Sequence, residues 1–192
     1  MATKSTTSVP YRRKREGKTD YRKRLKLLKS SRPRLVVRRS LKHITLQIVE
    51  YSPKGDKIIA CAHSGELSKL GWKGFTQNLP ACYLTGLLLA KKAGKKLSCA
   101  LDIGQYTSVK GCKLYAAVLG AVDGGLEIPC AKEVLPKLER VRGDHIAAWA
   151  KQLKNDKAKY ERQFCACIKR NFDAEQLPAH FEEIKNKILK LK

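Results

Sequence analysis

The chain has 192 residues, with 41 Lys+Arg against 17 Asp+Glu, a formal charge of +24. That length allows one core with appendages, or two small domains at most. So large a basic excess points to a polyanion, nucleic acid ahead of an acidic membrane surface. The longest mostly apolar window, residues 79–90, is too short to span a bilayer, and no secretory h-region follows the start.

Charge is concentrated at the front. Residues 1–42 hold 16 Lys+Arg and 2 Asp+Glu, more than half of the whole excess. The stretch YRRKREGKTDYRKRLKLLKS, residues 11–30, has too few apolar residues to offset the entropy of ordering alone. It reads as an extended arm over residues 1–31, able to reach roughly 100 Å if fully stretched. Guanidinium groups in this run can fork onto phosphates, and Tyr11 and Tyr21 can stack on bases or hydrogen-bond to sugars. A basic run alone also fits a nuclear-targeting tail or a transit peptide; Glu16 and Asp20 argue against the latter.

After Pro33, RLVV opens a strand. In KHITLQIVEY, Ile44, Leu46 and Ile48 alternate with Thr45, Gln47 and Val49, a period of two with one apolar face. SPKGD is a turn by composition, and KIIACAH the next strand, so three strands form an antiparallel meander. Arg38, Arg39, Ser40, Lys42 and His43 place bases on a folded sheet edge continuous with the arm. Trp72, in WKGF, is expected to pack on the core.

Asn78 caps an expected helix through about residue 92, apolar nearly all round and ended by Gly94. SCALDIG, residues 98–104, is a short strand. A second helix is expected over about 111–122, with Leu114, Val118 and Val122 on one stripe and Asp123-Gly124-Gly125 as its stop. Residues 144–153 predict a helix with Ile146 and Trp149 on its apolar face; 157–170 predict another, and Pro178 precedes a last one over 181–191. The tail is too charged to stand alone, so it should dock on the core or on a partner.

The fold class expected is α/β: a mixed, largely antiparallel sheet with packed helices, preceded by an extended basic arm and followed by a helical C-terminal extension. The divisions are 1–31 for the arm, 32–142 for the core and 143–192 for the extension.

Catalysis finds little footing. A metal-dependent nuclease needs converging carboxylates, and the segment 43–150 offers nine acids, with Asp102 the one at a strand's C-terminal end. The four histidines are scattered, and no GxxxxGK[ST] occurs. Cys61-Ala62-His63 could meet Cys165-Ala166-Cys167 around zinc, but those pairs lack the usual spacer. The seven cysteines read as reduced thiols, and no enzyme activity, metal or cofactor is expected. Duplex DNA fits less well than RNA, since no helix-turn-helix, zinc finger or basic zipper pattern is present.

Several motifs occur here in one order: the residue 11–30 arm, RPRLVVRRSLKHITLQIVEY, SGELSKLGWKGFTQNLPACYLTGLL, LDIG, AVLGAVDGGLEIP and RVRGDHI. Over about residues 9–148 the chain resembles the archaeal and eukaryotic form of the universal eighteenth protein of the large ribosomal subunit. Where that family commonly carries His-Ser after LEIP, Cys130-Ala131 stand here. The resemblance implies a non-enzymatic, cytoplasmic ribosomal protein of the central protuberance. Its implied partners are 5S rRNA, large-subunit rRNA and neighbouring protuberance proteins, with no membrane. Tyr11, Arg12, Arg13, Lys14, Arg15, Lys18, Tyr21, Arg22, Lys23, Arg24 and Lys26 would thread along RNA. The family's sheet and loop contacts carry over to Arg38, Arg39, Ser40, Lys42, His43 and Gln47, and, after LDIG, to Gln105, Tyr106, Lys110 and Gly111. An alternative use of the same surface is an extra-ribosomal 5S RNA chaperone or transport factor.

Overall fold

A computed structural model describes residues 9–94 and 96–191. Residues 1–8 of the expected arm lie outside the described residues. Two short helices open the described chain, α1 (Arg12–Arg15) and α2 (Tyr21–Leu28). The meander follows as β1 (Arg34–Arg39), β2 (Ile44–Glu50) and β3 (Lys57–His63). Helix α3 (Leu79–Ala93), strand β4 (Ala100–Asp102) and helix α4 (Lys113–Asp123) complete the first part. The chain ends in α5 (Leu138–Arg142), α6 (Asp144–Leu153), α7 (Lys157–Ile168) and α8 (Leu177–Leu189).

The sheet order is β3-β2-β1-β4, antiparallel except where β4 runs parallel to β1. This is the expected α/β class. Residues opposite each other share a face, so Leu35, Ile48 and Ala60 form one inward row and Val37, Leu46 and Ala62 the next. All six are buried, against α3 and α4. Helix α3 sits at the centre of the molecule, with the sheet, α4 and α8 around it, which is why it is buried from Leu79 to Ala90. Asn78 Oδ1 accepts from the Ala81 amide at 2.9 Å, and left-handed Gly94 ends the helix. Helices α3 and α4 cross at Gly86 and Gly120. A Cβ at Gly86 would lie 2.0 Å from the Ala117 carbonyl oxygen, and one at Gly120 2.0 Å from that of Tyr83.

The tail docks on the core. Phe181, Ile184 and Ile188 of α8 are buried in the main apolar cluster, while Ala150, Phe164, Cys167 and Ala174 form a small satellite beneath α6 and α7. Trp72 is buried as expected; its indole donates to the Phe75 carbonyl at 3.1 Å and stacks on His180 with centroids 5.2 Å apart.

Four expectations need correction. The arm is not extended throughout. Asp20 caps α2 by accepting from the amides of Arg22 and Lys23 at 2.9 and 3.1 Å, and Glu16 pairs with Arg12 and Lys18. Asp20 lowers the cost of helix at the N-terminus of α2, and Glu16 offsets like charge on α1 through its i,i+4 pair with Arg12. Trp149 does not face the core: it is 50% exposed, because Ala147 and Ala150 take the buried side of α6. Val122 is also exposed, at the last turn of α4. Finally, α8 begins at Leu177 with Pro178 in its first turn, where the missing amide costs no helical bond.

Candidate nucleic-acid interface

The second face of the sheet carries the chemistry. Alternation along β1 turns Leu35 and Val37 inward and Arg34, Val36 and Arg38 outward; Val49 and Gln47 stand opposite Arg34 and Val36 on β2. Helix α2 lies over this face. Between them is a cleft of about 890 Å³, lined from the arm by Arg13, Lys18, Lys23 and Lys26 and from the sheet by Arg38 and Gln47.

A chain of ion pairs crosses the cleft. Arg24 reaches Asp56 at 2.8 Å, Asp56 reaches Arg34 at 2.6 Å, and Asp102 holds Arg34 and Arg38 at 3.0 Å each. Three guanidinium groups and two carboxylates leave a net positive site. Arg34 is only 3% exposed, which such pairing permits and an isolated buried cation would not. Its Nε is without a hydrogen-bond partner among the described residues. Burial alone pushes the Asp56 carboxyl up, but the hydrogen bond from Arg24 and the charge of Arg34 outweigh it and leave the group below its ordinary value. The same bond raises Arg24. Both Asp102 oxygens are engaged in holding the site together: Oδ2 accepts from Arg34, and Oδ1 from Arg38 and the Gly104 amide.

The other expected residues are placed as follows. Arg39 lies over the Tyr106 ring, 5.0 Å from its centroid, and the Tyr106 hydroxyl donates to the Arg39 carbonyl at 2.6 Å. Gln105 lines the cleft beside Gly104. Tyr11 and Tyr21 pack on each other with centroids 5.2 Å apart, which ties α1 to α2. Arg24, Lys23 and Lys26 share α2 with exposed Arg22. Arg12, Lys14 and Arg15 are exposed on α1.

At the far end of β1, the Ser40 hydroxyl accepts from the His43 amide at 3.1 Å and closes the turn to β2, leaving Lys42 exposed. His43 is drawn inward instead. Its ring lies 4.7 Å from that of His63, and its Nδ1 is 3.1 Å from the Ser64 hydroxyl. Burial, then the neighbouring His63 and Lys42, holds His43 below its usual value. Lys110 approaches Glu133 at 3.7 Å, and left-handed Gly111 donates to the Val134 carbonyl; neither lines the cleft.

Sequence reasoning missed Arg34, Asp56 and Gly104. Arg34 stood in an apolar strand as an unexplained cation, which was the one available signal. Its partners lie 22 and 68 residues away and could not be paired from the sequence alone.

No group of three or more His, Cys, Asp or Glu able to hold a metal occurs among the described residues, and no described helix is long and apolar enough to cross a membrane.

A family model for ribosomal large subunit proteins 60S L5 and 50S L18 matches residues 5–99. The large ribosomal subunit protein uL18 of Staphylothermus marinus is 52% identical over 194 residues, covering 98% of this chain and 96% of the relative. The chain belongs to the uL18 family. As a uL18 protein it is a structural component of the large ribosomal subunit and not an enzyme. The matched segment includes the arm from residue 5 onward, the meander and α3, and therefore most of the cleft and all of its Arg residues.

Proposed function

We propose that this uL18 protein binds 5S rRNA and helps anchor it to the large-subunit rRNA in the central protuberance, beside neighbouring protuberance proteins. The observation that carries the reading is the shared cleft, where arm cations and strand cations meet in one positively charged surface. Phosphates running between α2 and β1 would find Arg13, Lys18, Lys23 and Lys26 on one side and Arg38 on the other. Arg12, Lys14, Arg15 and Arg22 extend that track along the outer side of the arm. Arg39 and Tyr106 offer a guanidinium and a ring already stacked, a surface suited to an unpaired base or a ribose edge. Ser40, Lys42, Gln47, Gln105, Lys110 and Gly111 supply polar and cationic contacts around it. Tyr11 and Tyr21 serve the arm first by packing on each other, and His43 serves the turn end of the sheet.

The test is a competition between 5S rRNA and an unrelated transcript of equal length. Preference for 5S rRNA at moderate salt is the expected result. Equal binding of the two would reduce the surface to a non-specific polyanion site and overturn the proposal.

A further inference from the structure

Among the described residues, one hydrogen-bonded ion pair joins residues 9–31 to the rest of the chain: Arg24 Nη2 to Asp56 Oδ1, at 2.8 Å. The arm contributes no side chain to the main apolar cluster. Its other side-chain contacts are internal: the hydrogen bond from Arg13 to Thr19, the ion pairs of Glu16 with Arg12 and Lys18, and the ring contact of Tyr11 with Tyr21. Among the described residues, a single charged tether therefore joins the arm to the sheet.

Asp56 is an odd residue to find there. It sits in the β2–β3 turn, within a cleft whose proposed ligand is a polyanion, and by charge alone it should repel that ligand. Its two oxygens are divided, Oδ1 to Arg24 and Oδ2 to Arg34. Arg34 is in turn fixed by Asp102, which also fixes Arg38. The carboxylate thus couples the arm to the rigid strand that carries Arg38.

We propose that Asp56 is a positioning residue for RNA binding: it holds α2 over the sheet through Arg24, so that the arm cations are presented in register before RNA arrives. The proposal rests on the RNA-binding reading above. Pre-ordering removes part of the entropy cost of fixing the arm at the moment of binding. An acid here then increases affinity for a shaped RNA while lowering it for polyanions in general. The opposite possibility is that Asp56 competes with phosphate for Arg24, and it predicts the opposite sign.

The experiment uses the full chain as wild type, Asp56→Asn, Arg24→Gln and the double variant, with Glu161→Gln as a charge-matched control on exposed α7. Each is titrated with 5S rRNA and with an unrelated transcript of equal length, and amide exchange over residues 22–28 is measured without RNA. Asp56→Asn should weaken 5S binding about tenfold, the loss expected from releasing a pre-ordered segment. It should bind the unrelated transcript as well as wild type or better, as Glu161→Gln should bind both RNAs. In the Arg24→Gln background the same change should alter 5S affinity by less than about twofold, since its route of action is already cut. Exchange over 22–28 should quicken in both single variants while that of α3 stays slow.

Undiminished 5S binding by Asp56→Asn overturns the proposal, as does an equal loss in both backgrounds or unchanged exchange in the arm. Arg24→Gln leaves Arg34 both of its carboxylates, so its exchange decides the tether even if Asp56→Asn fails to fold. A wild type without 5S preference defeats the functional reading, and the exchange data then still judge the tether alone.

Discussion

The Arg38 guanidinium occupies the space beside Gly104 that any larger residue would need. A Cβ there would lie 2.9 Å from Arg38 Cζ, and Gly104 has φ +66°, a left-handed conformation that L side chains resist. The glycine also brings its own amide to Asp102 Oδ1 at 2.8 Å, so one loop residue fits both partners of the Arg38–Asp102 pair.

Gly104→Ala should therefore act twice. The backbone change costs about 1–2 kcal/mol, and the displaced guanidinium leaves the cleft geometry altered. Denaturant unfolding should show the stability loss, and 5S rRNA binding should weaken more than binding of an unrelated transcript. Equal weakening toward both RNAs would show that the site Arg38 occupies has no bearing on selectivity.

Gly120→Ala tests the helix crossing. The new methyl would lie 2.0 Å from the Tyr83 carbonyl oxygen, which is backbone and cannot rotate away. Helices α3 and α4 must separate, opening the centre of the core. The expected loss is at least about 3 kcal/mol, at the upper end for overpacking. A midpoint in urea within error of wild type would show that the crossing is looser than this geometry.

How much of this was legible beforehand follows from how local each signal is. The strands, α3 with its Asn78 cap and Gly94 stop, and helix α6 were visible because period and capping residues lie within one element. The cations of the cleft were visible as composition. The ion-pair chain was not, since Arg34, Asp56 and Asp102 come from three separated segments and meet only through strand order. The α2 helix has one local signal, Asp20 before YRKRLKLL, in a stretch where the density of like charge favours an extended chain. Trp149 shows the limit of periodicity: small alanines took the buried side of α6, and a large apolar residue was left outside.

Stability should fall in two separate pH windows. His43 is held below its ordinary value by burial and by nearby His63 and Lys42, and burial likewise lowers His145. The unfolded chain then takes up protons near pH ~6.5 that the folded chain refuses, so stability is complete above that value and declines as pH falls below it. Asp56 and Glu66 are lowered despite burial, by Arg24 and Arg34 in the first case and by Lys92 and the His63 amide in the second. Their contribution is present above pH ~4 and is lost as pH falls through the folded values. His43→Asn should flatten part of the upper window and Asp56→Asn part of the lower one, read as denaturation midpoint against pH. A wild-type midpoint that rises on acidification through pH 6.5 would contradict the sign.

Removing residues 1–31 should separate binding from folding. The described part of the arm places nothing in the main core, and its loss deprives Asp56 of Arg24 while leaving Asp56 to Arg34 and Asp102 to Arg38 intact. The truncated chain should stay folded, with a thermal midpoint close to that of the full chain. Residues 1–31 carry 11 Lys+Arg, and several should act by releasing counterions from RNA. The slope of log affinity against log salt should become shallower by about 0.7–0.9 for each phosphate that the arm no longer neutralises. Affinity for 5S rRNA should drop sharply at low salt and less at high salt, where the electrostatic share is already screened. An unchanged slope would mean that the arm's cations meet no phosphate, and the cleft would then bind through the sheet alone.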